Sequence, residues 1–167
     1  DFLFNSYPAL FVATPEDFLA FIRARQEDKQ LAFFVNSFDS HLKSLWIGFK
    51  AREKHLSPLD IRYWSTVPFR LGETGTQVVK YSLTPCSDFT TTKVVNAGEH
   101  QLRYAIKSHL QQGPACFHFG VQIQTDPKAM PIEDASVIWD EKASPFKTVA
   151  TITIENQDLD NPQDLAT

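Results

Sequence analysis

The stretch WSTVPFRLGETGTQVVKYSLTP, residues 64–85, decides the fold class. Two runs rich in Val, Phe, Leu and Tyr, residues 67–71 and 77–83, are separated by the segment Gly72-Glu-Thr-Gly75. Such side chains suit a pleated, half-buried surface, and glycine readily adopts the positive φ angles of tight reversals. The stretch therefore predicts a β-hairpin.

Two later runs have a similar composition and are predicted to join the same sheet. In residues 117–124, FHFGVQIQ, the odd positions are apolar and the even positions are polar or glycine. This alternation predicts one buried face and one face toward water or a cavity. Residues 147–154, KTVATITI, are rich in β-branched side chains. With helices before and between these strands, the pattern predicts an α+β fold with a mainly antiparallel sheet.

A capped helix and a long connection complete the predicted architecture. Thr14 supplies an N-cap hydroxyl and Pro15 suits the first helical position, so a helix is predicted to begin here with Phe18 and Phe21 on its inner face. The connection over residues 125–145 contains three X-Pro pairs, which restrict the chain to extended or turn geometry. We therefore expect this connection to be ordered and docked on the fold.

Composition limits the classes of protein that the chain can represent. The 167 residues are 43% hydrophobic, which suffices for one domain spanning 1–167. The formal charge of −4 gives no electrostatic reason to expect nucleic acid as a partner. No apolar run reaches the roughly 18 residues that a membrane span requires.

Candidate catalytic and metal-binding motifs are few. Cys86 and Cys116 are far apart and have no metal-ligand spacing, so two buried free thiols are expected. The histidines form no zinc-binding pair, and no nucleophile elbow, P-loop or dinucleotide fingerprint occurs. His118 lies on the polar face of a predicted strand, where it either faces solvent or contacts a ligand in a closed cavity.

Several short motifs nevertheless resemble one family. The motifs, in chain order, are D-F-L-F-N (1–5), P-A-L-F-V (8–12), Y-W (63–64), P-F-R-L-G (68–72), V-K-Y (79–81), G-P-A (113–115), D-P (126–127), P-I-E-D (131–134) and S-P-F (144–146). On these motifs the chain resembles the central part of the haem catalases, and more closely a shorter catalase-like branch that includes catalase-related peroxidases and allene oxide synthase-type domains. The resemblance implies an antiparallel β-barrel of the catalase type with flanking helices.

The resemblance also implies roles for individual residues. Asn5 matches the asparagine that hydrogen-bonds peroxide on the distal side of the haem, and a neutral amide suits that task because it donates without adding charge. A turn asparagine before Pro8 is the alternative interpretation. Phe11 and Phe18 match aromatic positions of the distal haem wall. Leu10 matches a third such position, where the catalases have Phe.

Two elements of the family's haem site have no counterpart in the chain. The catalytic His of the family lies upstream of the segment that matches Asn5. The proximal ligand is a Tyr with an Arg four residues before it, and no Tyr of this chain has that neighbour. We therefore expect the chain to represent part of a longer haem protein.

Two functions are predicted. The first is a haem-dependent catalase-like enzyme or peroxidase that acts, in the intact protein, on hydrogen peroxide or organic hydroperoxides, with possible homo-oligomerisation. The second is a haem-free barrel without enzymatic activity, which binds an apolar ligand or serves as a scaffold.

Overall fold

The computed structural model of the chain describes residues 3–35, 41–73, 75–86 and 98–157. These residues form a mixed α+β structure, as predicted. The strands are β1 (Phe4–Asn5), β2 (Tyr63–Ser65), β3 (Phe69–Leu71), β4 (Gln77–Pro85), β5 (Ala115–Ile123) and β6 (Lys147–Ile154). The helices are α1 (Pro15–Gln26), α2 (Gln30–Val35), α3 (Leu42–Lys50) and α4 (Gln101–Gln112), the last preceded by a 3₁₀ turn (Gly98–His100).

The strands belong to one antiparallel sheet with the order β1-β2-β4-β5-β6, and β3 also pairs with β4. The Cys86 N–H donates to the Cys116 carbonyl (3.0 Å), and the Gln124 N–H donates to the Val78 carbonyl (2.8 Å), so β4 and β5 run in opposite directions. Within the described residues the sheet ends at β1 and β6. The antiparallel α+β prediction is therefore confirmed, whereas the sheet is open and closure into a barrel is not confirmed.

The predicted hairpin is formed by β3 and β4. Their register pairs Phe69 with Val79 and Leu71 with Gln77. Gly72 and Gly75 have φ angles of 79° and 59°, in the left-handed region that favours glycine, and the Gly75 N–H donates to the Gly72 carbonyl at 3.1 Å. Turn chemistry therefore fixes the register at this position.

Contacts between Cα atoms divide the chain into two compact units. The first comprises Asp1–Glu53, Tyr63–Ser82 and Val121–Lys147, and its core contains Val78, Met130 and Trp139. The second comprises Lys54–Arg62, Leu83–Gly120 and Thr148–Thr167. Its buried apolar side chains are Leu59, Ala105, Leu110, Ala115 and Phe117.

The long connection between β5 and β6 is ordered and docked, as predicted. It buries Met130, Ser136 and Trp139 in the first unit. It also covers the side chain of Gln122 on β5, which is only 1% exposed. The Gln122 amide donates to the carbonyls of Ser144 (2.7 Å) and Trp139 (3.4 Å). The connection thus covers the polar face of β5 at Gln122. The alternation of apolar and polar residues predicts only that this face meets water or a cavity.

The expectation of free thiols is wrong, because Cys86 and Cys116 form a disulfide. Their Cα atoms are 5.3 Å apart, which is within the range that a disulfide spans. The pairing follows from the sheet, since Cys86 directly follows β4 and Cys116 lies in the neighbouring β5. Separation along the sequence does not reveal such a pair, because strand register brings the two residues together.

Candidate functional site

A cavity of about 490 Å³ lies in the first unit. Its walls come from the chain before α1, from the start of α1, from the turn after β2 and from Ala135 of the long connection. Most of the lining side chains are apolar. The described lining residues are Leu3, Phe4, Asn5, Leu10, Ala13, Thr14, Pro15, Phe18, Thr66, Val67 and Ala135. Three of the four residues predicted for the haem site, Asn5, Leu10 and Phe18, therefore meet at one cavity.

Asn5 reaches the cavity from the sheet. It is the last residue of β1, pairs with Trp64 of β2 and is half-buried. Among the described lining residues it has the one side-chain amide, and the other polar side chains are the hydroxyls of Thr14 and Thr66. An amide offers two N–H donors and one acceptor, so Asn5 can bind a polar ligand atom without bringing a charge into an apolar cavity.

Two backbone hydrogen bonds join the segment that carries Leu10 to Ala135. The Leu10 N–H donates to the Ala135 carbonyl at 2.9 Å, and the Ala135 N–H donates to the Ala13 carbonyl at 3.0 Å. All three residues line the cavity. The segment before α1 and the long connection therefore form this wall jointly, although their sequence positions are more than a hundred residues apart.

Phe18 belongs to the first turns of α1, whose start agrees with the sequence prediction. The Asp17 N–H donates to the Thr14 hydroxyl at 3.2 Å, so Thr14 is the N-cap. Phe18 is 42% exposed and lines the cavity. Phe11 lies outside the described lining, with its ring centroid 6.1 Å from that of Phe18 and 4.9 Å from that of Phe21. It therefore supports Phe18 by ring packing.

A cluster of charged side chains lies directly behind Ala135. Lys80, in the middle of β4, is 3% exposed, and its Nζ donates to the Val137 carbonyl at 3.1 Å. The Asp134 carboxylate accepts from the Ser136 N–H at 2.9 Å and from the Ser136 hydroxyl at 2.6 Å. The same hydroxyl accepts from Lys43 Nζ at 2.8 Å. Two lysines and one aspartate thus surround the turn that carries Ala135.

The surroundings of this cluster shift the pKa values of its members. Burial lowers the pKa of Lys80 to about 8, and the Asp134 carboxylate opposes that shift. For Asp134, burial acts to raise the pKa, but the hydrogen bonds from Ser136 and the charges of Lys43 and Lys80 outweigh burial. The pKa of Asp134 therefore lies below its ordinary value. At neutral pH the pair is ionised.

Sequence reasoning missed this cluster, although one signal was available. Lys80 stands between Val79 and Tyr81 in a run that was predicted to be a half-buried strand. A lysine at such a position either reaches solvent with its long side chain or is buried with a partner. The observed partner, the Val137 carbonyl, is fifty-seven residues away and cannot be found from local pattern.

Other candidate residues lie elsewhere. His118 is half-buried with its Nδ1 3.8 Å from Cys86 Sγ in the second unit, and it is not among the described residues that line the cavity. Among the residues that the structure describes, no group of three or more His, Cys, Asp or Glu side chains could hold a metal ion. No helix in the described part of the chain is long and apolar enough to cross a membrane.

Comparison with solved structures shows the fold. A bacterial catalase matches with a TM-score of 0.66 and 17% identity over 95% of this chain and 35% of its own length. A fungal catalase matches with a TM-score of 0.69 at 15% identity, covering 95% and 36%, and catalase A from Saccharomyces cerevisiae with 0.68 at 14%, covering 93% and 37%. The chain thus shares a catalase-like fold and spans about a third of these catalases. No family model and no curated protein sequence matches it.

The cavity can be tested against the haem that the resemblance implies. The lining fits one face of a flat apolar macrocycle, because most of its side chains are apolar and its one side-chain amide is that of Asn5. Haem iron also needs an axial ligand such as His, Cys, Met or Tyr. None of these residue types occurs among the described lining residues. The cavity therefore suits the face of the macrocycle and supplies no ligand to the iron.

Proposed function

We propose that the chain forms the peroxide-binding side of a haem-dependent catalase-like enzyme or peroxidase, acting on hydrogen peroxide or organic hydroperoxides. The observation that carries this proposal is the meeting of Asn5, Leu10 and Phe18 at one apolar cavity. Asn5 and Phe18 match residues of the distal haem site in the resemblance, Leu10 stands at a position where the catalases have Phe, and the fold is catalase-like. Agreement between three separated positions is a stronger argument than any of the motifs alone.

The residues of this chain have distinct tasks in the proposal. Phe18 and Leu10 contact the haem face and keep water away from it, which strengthens hydrogen bonds inside the cavity. The Asn5 amide donates a hydrogen bond to a peroxide oxygen and orients the substrate. Haem, when bound, supplies the redox chemistry on peroxide. A ligand to the haem iron would have to come from outside the described cavity lining.

One observation favours a second function. Because the described lining contains no His, Cys, Met or Tyr, the cavity is equally suited to an apolar organic ligand without a metal. In that case the chain is a haem-free binding protein or scaffold. The two functions differ in their response to iron porphyrin, which makes them separable.

Titration of the protein with hemin distinguishes the two functions. If haem is the ligand, a saturable Soret band appears, and Phe18→Ala weakens hemin binding about tenfold because it removes an aromatic contact with the macrocycle. Leu19→Ala is the matched control, since Leu19 is the next residue of α1, is 49% exposed and lies outside the described lining. It should bind hemin as the unmodified protein does.

Two results would reject the haem proposal. One is the absence of a Soret shift together with tight binding of an apolar probe such as 8-anilinonaphthalene-1-sulfonate that Phe18→Ala weakens. That result would establish the haem-free function. The other is equal hemin affinity of the Phe18→Ala and Leu19→Ala variants, which would place the haem away from this cavity.

A further inference from the structure

The cavity wall around Ala135 is positioned by the charged cluster behind it. Ala135 exchanges backbone hydrogen bonds with the segment before α1, donating to Ala13 and accepting from Leu10. Its two sequence neighbours bond to each other, since the Ser136 N–H and hydroxyl donate to the Asp134 carboxylate, and the same hydroxyl accepts from Lys43. Ala135 thus lies at the centre of a turn. On one side its backbone bonds to the segment before α1, and on the other side Asp134, Ser136 and Lys43 form a hydrogen-bonded chain.

Lys80, on strand β4, contacts the same turn. Its Nζ contacts the Val137 carbonyl at 3.1 Å and lies 5.3 Å from the centre of the Trp139 ring. A buried ammonium group needs such partners, because removing it from water is costly unless charge and hydrogen bonds compensate. Lys80 finds a hydrogen-bond acceptor at Val137 and an aromatic ring at Trp139, and the Asp134 charge partly offsets the effect of burial on its pKa. The connection therefore contacts β4 at Lys80.

We infer that Asp134 is a positioning residue for the cavity: through the two hydrogen bonds that it accepts from Ser136, whose hydroxyl also accepts from Lys43, it fixes Ala135 against Leu10 and so sets the wall that the ligand contacts. Asp134 does not line the cavity and acts only through its neighbour. The inference rests on the proposed function for the identity of the ligand, but the positioning itself is a property of the fold.

Two other turns of the connection show what is special about Asp134. Asp126 accepts from the Lys128 N–H at 2.8 Å and Asp140 accepts from the Lys142 N–H at 2.9 Å, as Asp134 accepts from Ser136. All three carboxylates therefore cap the same kind of local turn. Asp134 differs because two lysine side chains reach its turn and because the turn contacts the cavity wall.

The test uses Asp134→Asn, which keeps a turn acceptor and removes the negative charge between the lysines. We expect the Leu10 and Ala135 amides to exchange with solvent about tenfold faster, measured by NMR on the intact protein. The Gln124 amide, bonded to the Val78 carbonyl within the sheet, should stay protected within about twofold. Asp140→Asn is the matched control and should leave all three amides unchanged.

A double variant distinguishes an effect of the lost Asp134 charge from an effect of the changed side chain. Lys80→Met combined with Asp134→Asn removes the buried excess of positive charge, so protection of Leu10 and Ala135 should return to within about threefold of the unmodified protein. Should Asp134→Asn fail to fold, Ser136→Ala gives a milder test. It removes the hydroxyl between Lys43 and Asp134 and should speed exchange at Ala135 at least threefold.

Clear results would overturn the inference. It is wrong if Asp134→Asn leaves Leu10 and Ala135 protected, if Gln124 loses protection equally, or if the double variant exchanges as fast as Asp134→Asn. It is also wrong if Ser136→Ala leaves exchange at Ala135 unchanged. Hemin binding is measured in parallel and should weaken about tenfold in Asp134→Asn. If the unmodified protein binds no hemin, the proposed function fails while the exchange data still decide the positioning role.

Discussion

Lys80 links the sheet to the cavity wall, because it lies on strand β4 and donates a hydrogen bond to the connection that carries Ala135. Lys80 is 3% exposed, and its ammonium group donates to the Val137 carbonyl and lies near the Trp139 ring, while the Asp134 charge favours its protonated form. Burial lowers its pKa from 10.5 to about 8. An unfolded chain therefore binds a proton at Lys80 more tightly than the folded protein does between these two values. By proton linkage, stability rises with pH in that window.

The first prediction follows from this rise of stability with pH. Between pH 7 and pH 9 the contribution of Lys80 to the free energy of unfolding should increase by about 1 kcal/mol. Lys80→Met should remove this increase, because the methionine side chain does not titrate. Urea denaturation at both pH values measures this increase. Tyr63 stays un-ionised at pH 9, because burial raises its pKa above 10.0. Equal pH dependence in the two proteins would contradict the assignment of the shift to Lys80.

Asn5 is the residue on which the proposed chemistry depends. Asn5→Ala removes the amide donor from the cavity while leaving its apolar walls in place. In the intact protein, turnover of peroxide should fall by about 10²–10³, in line with the loss of one preorganised donor. Haem occupancy should hardly change. Leu3→Ala alters the same cavity without removing a polar group and is the control for the comparison.

Unchanged turnover of both hydrogen peroxide and organic hydroperoxides by Asn5→Ala would reject the distal role of Asn5. The residue would then be a turn asparagine at the end of β1, the alternative that the sequence also allows. Measurement of both substrates matters, because a defect confined to one of them would indicate substrate fit instead of a general donor role.

At the scale of elements, strand β4 is connected to a neighbouring strand at each of its ends. The hairpin turn joins its start to β3, and the Cys86–Cys116 disulfide joins the residue after its end to β5. The hairpin depends on Gly72, which has a φ angle of 79° and no heavy atom within 4 Å of an added Cβ. Substitution there tests backbone conformation without a steric clash. Gly113 is a suitable comparison, because it is equally uncrowded and its φ of 163° is extended backbone.

Gly72→Ala should therefore destabilise the protein by about 1–2 kcal/mol, the cost of the left-handed region for an L-residue. Gly113→Ala should be neutral or slightly stabilising, since alanine restricts the unfolded chain. Chemical denaturation of the two variants gives the comparison. A similar loss of stability in both would mean that the turn does not require the positive φ angle.

Reduction of the disulfide should lower the free energy of unfolding by about 3–4 kcal/mol, because the bond closes a loop of some thirty residues in the unfolded chain. Denaturation with and without dithiothreitol measures the loss. The Cys86→Ser/Cys116→Ser variant should be insensitive to the reductant and as unstable as the reduced protein. Insensitivity of the unmodified protein would show that the thiols are not joined in solution.

At the scale of the whole molecule, each unit leaves apolar side chains exposed. In the first unit Trp46 and Phe49 on α3 are 57% and 76% exposed, and Leu31 on α2 is 74% exposed. In the second unit Val149 on β6 is 61% exposed. Strand β6 is also the end of the sheet in the described residues. Exposed apolar patches and open strand edges favour association.

We accordingly expect the 167-residue chain by itself not to behave as a monodisperse monomer. It should self-associate or need further protein, and light scattering after size exclusion at several concentrations measures this. Trp46→Lys and Phe49→Lys together should reduce association if α3 is responsible. A sharp two-state melt of a monodisperse monomer would contradict the expectation.

The sequence by itself determined the local structure of this protein. The hairpin around Gly72, the strands over residues 117–124 and 147–154, and the start of α1 at its Thr14 cap all follow from side-chain alternation, turn glycines and capping. The motif positions of Asn5, Leu10 and Phe18 were also visible. These features depend on interactions within a few residues, which a single sequence displays directly.

The tertiary structure alone decided which distant residues meet. It paired Cys86 with Cys116, buried Gln122 under the connection and set Lys80 against Val137. It also brought Ala135 to the cavity that Asn5 lines. Each of these contacts depends on strand register and on the path of a long connection. Local periodicity carries no information on either, because the energies that select them come from packing and charge compensation across the assembled fold.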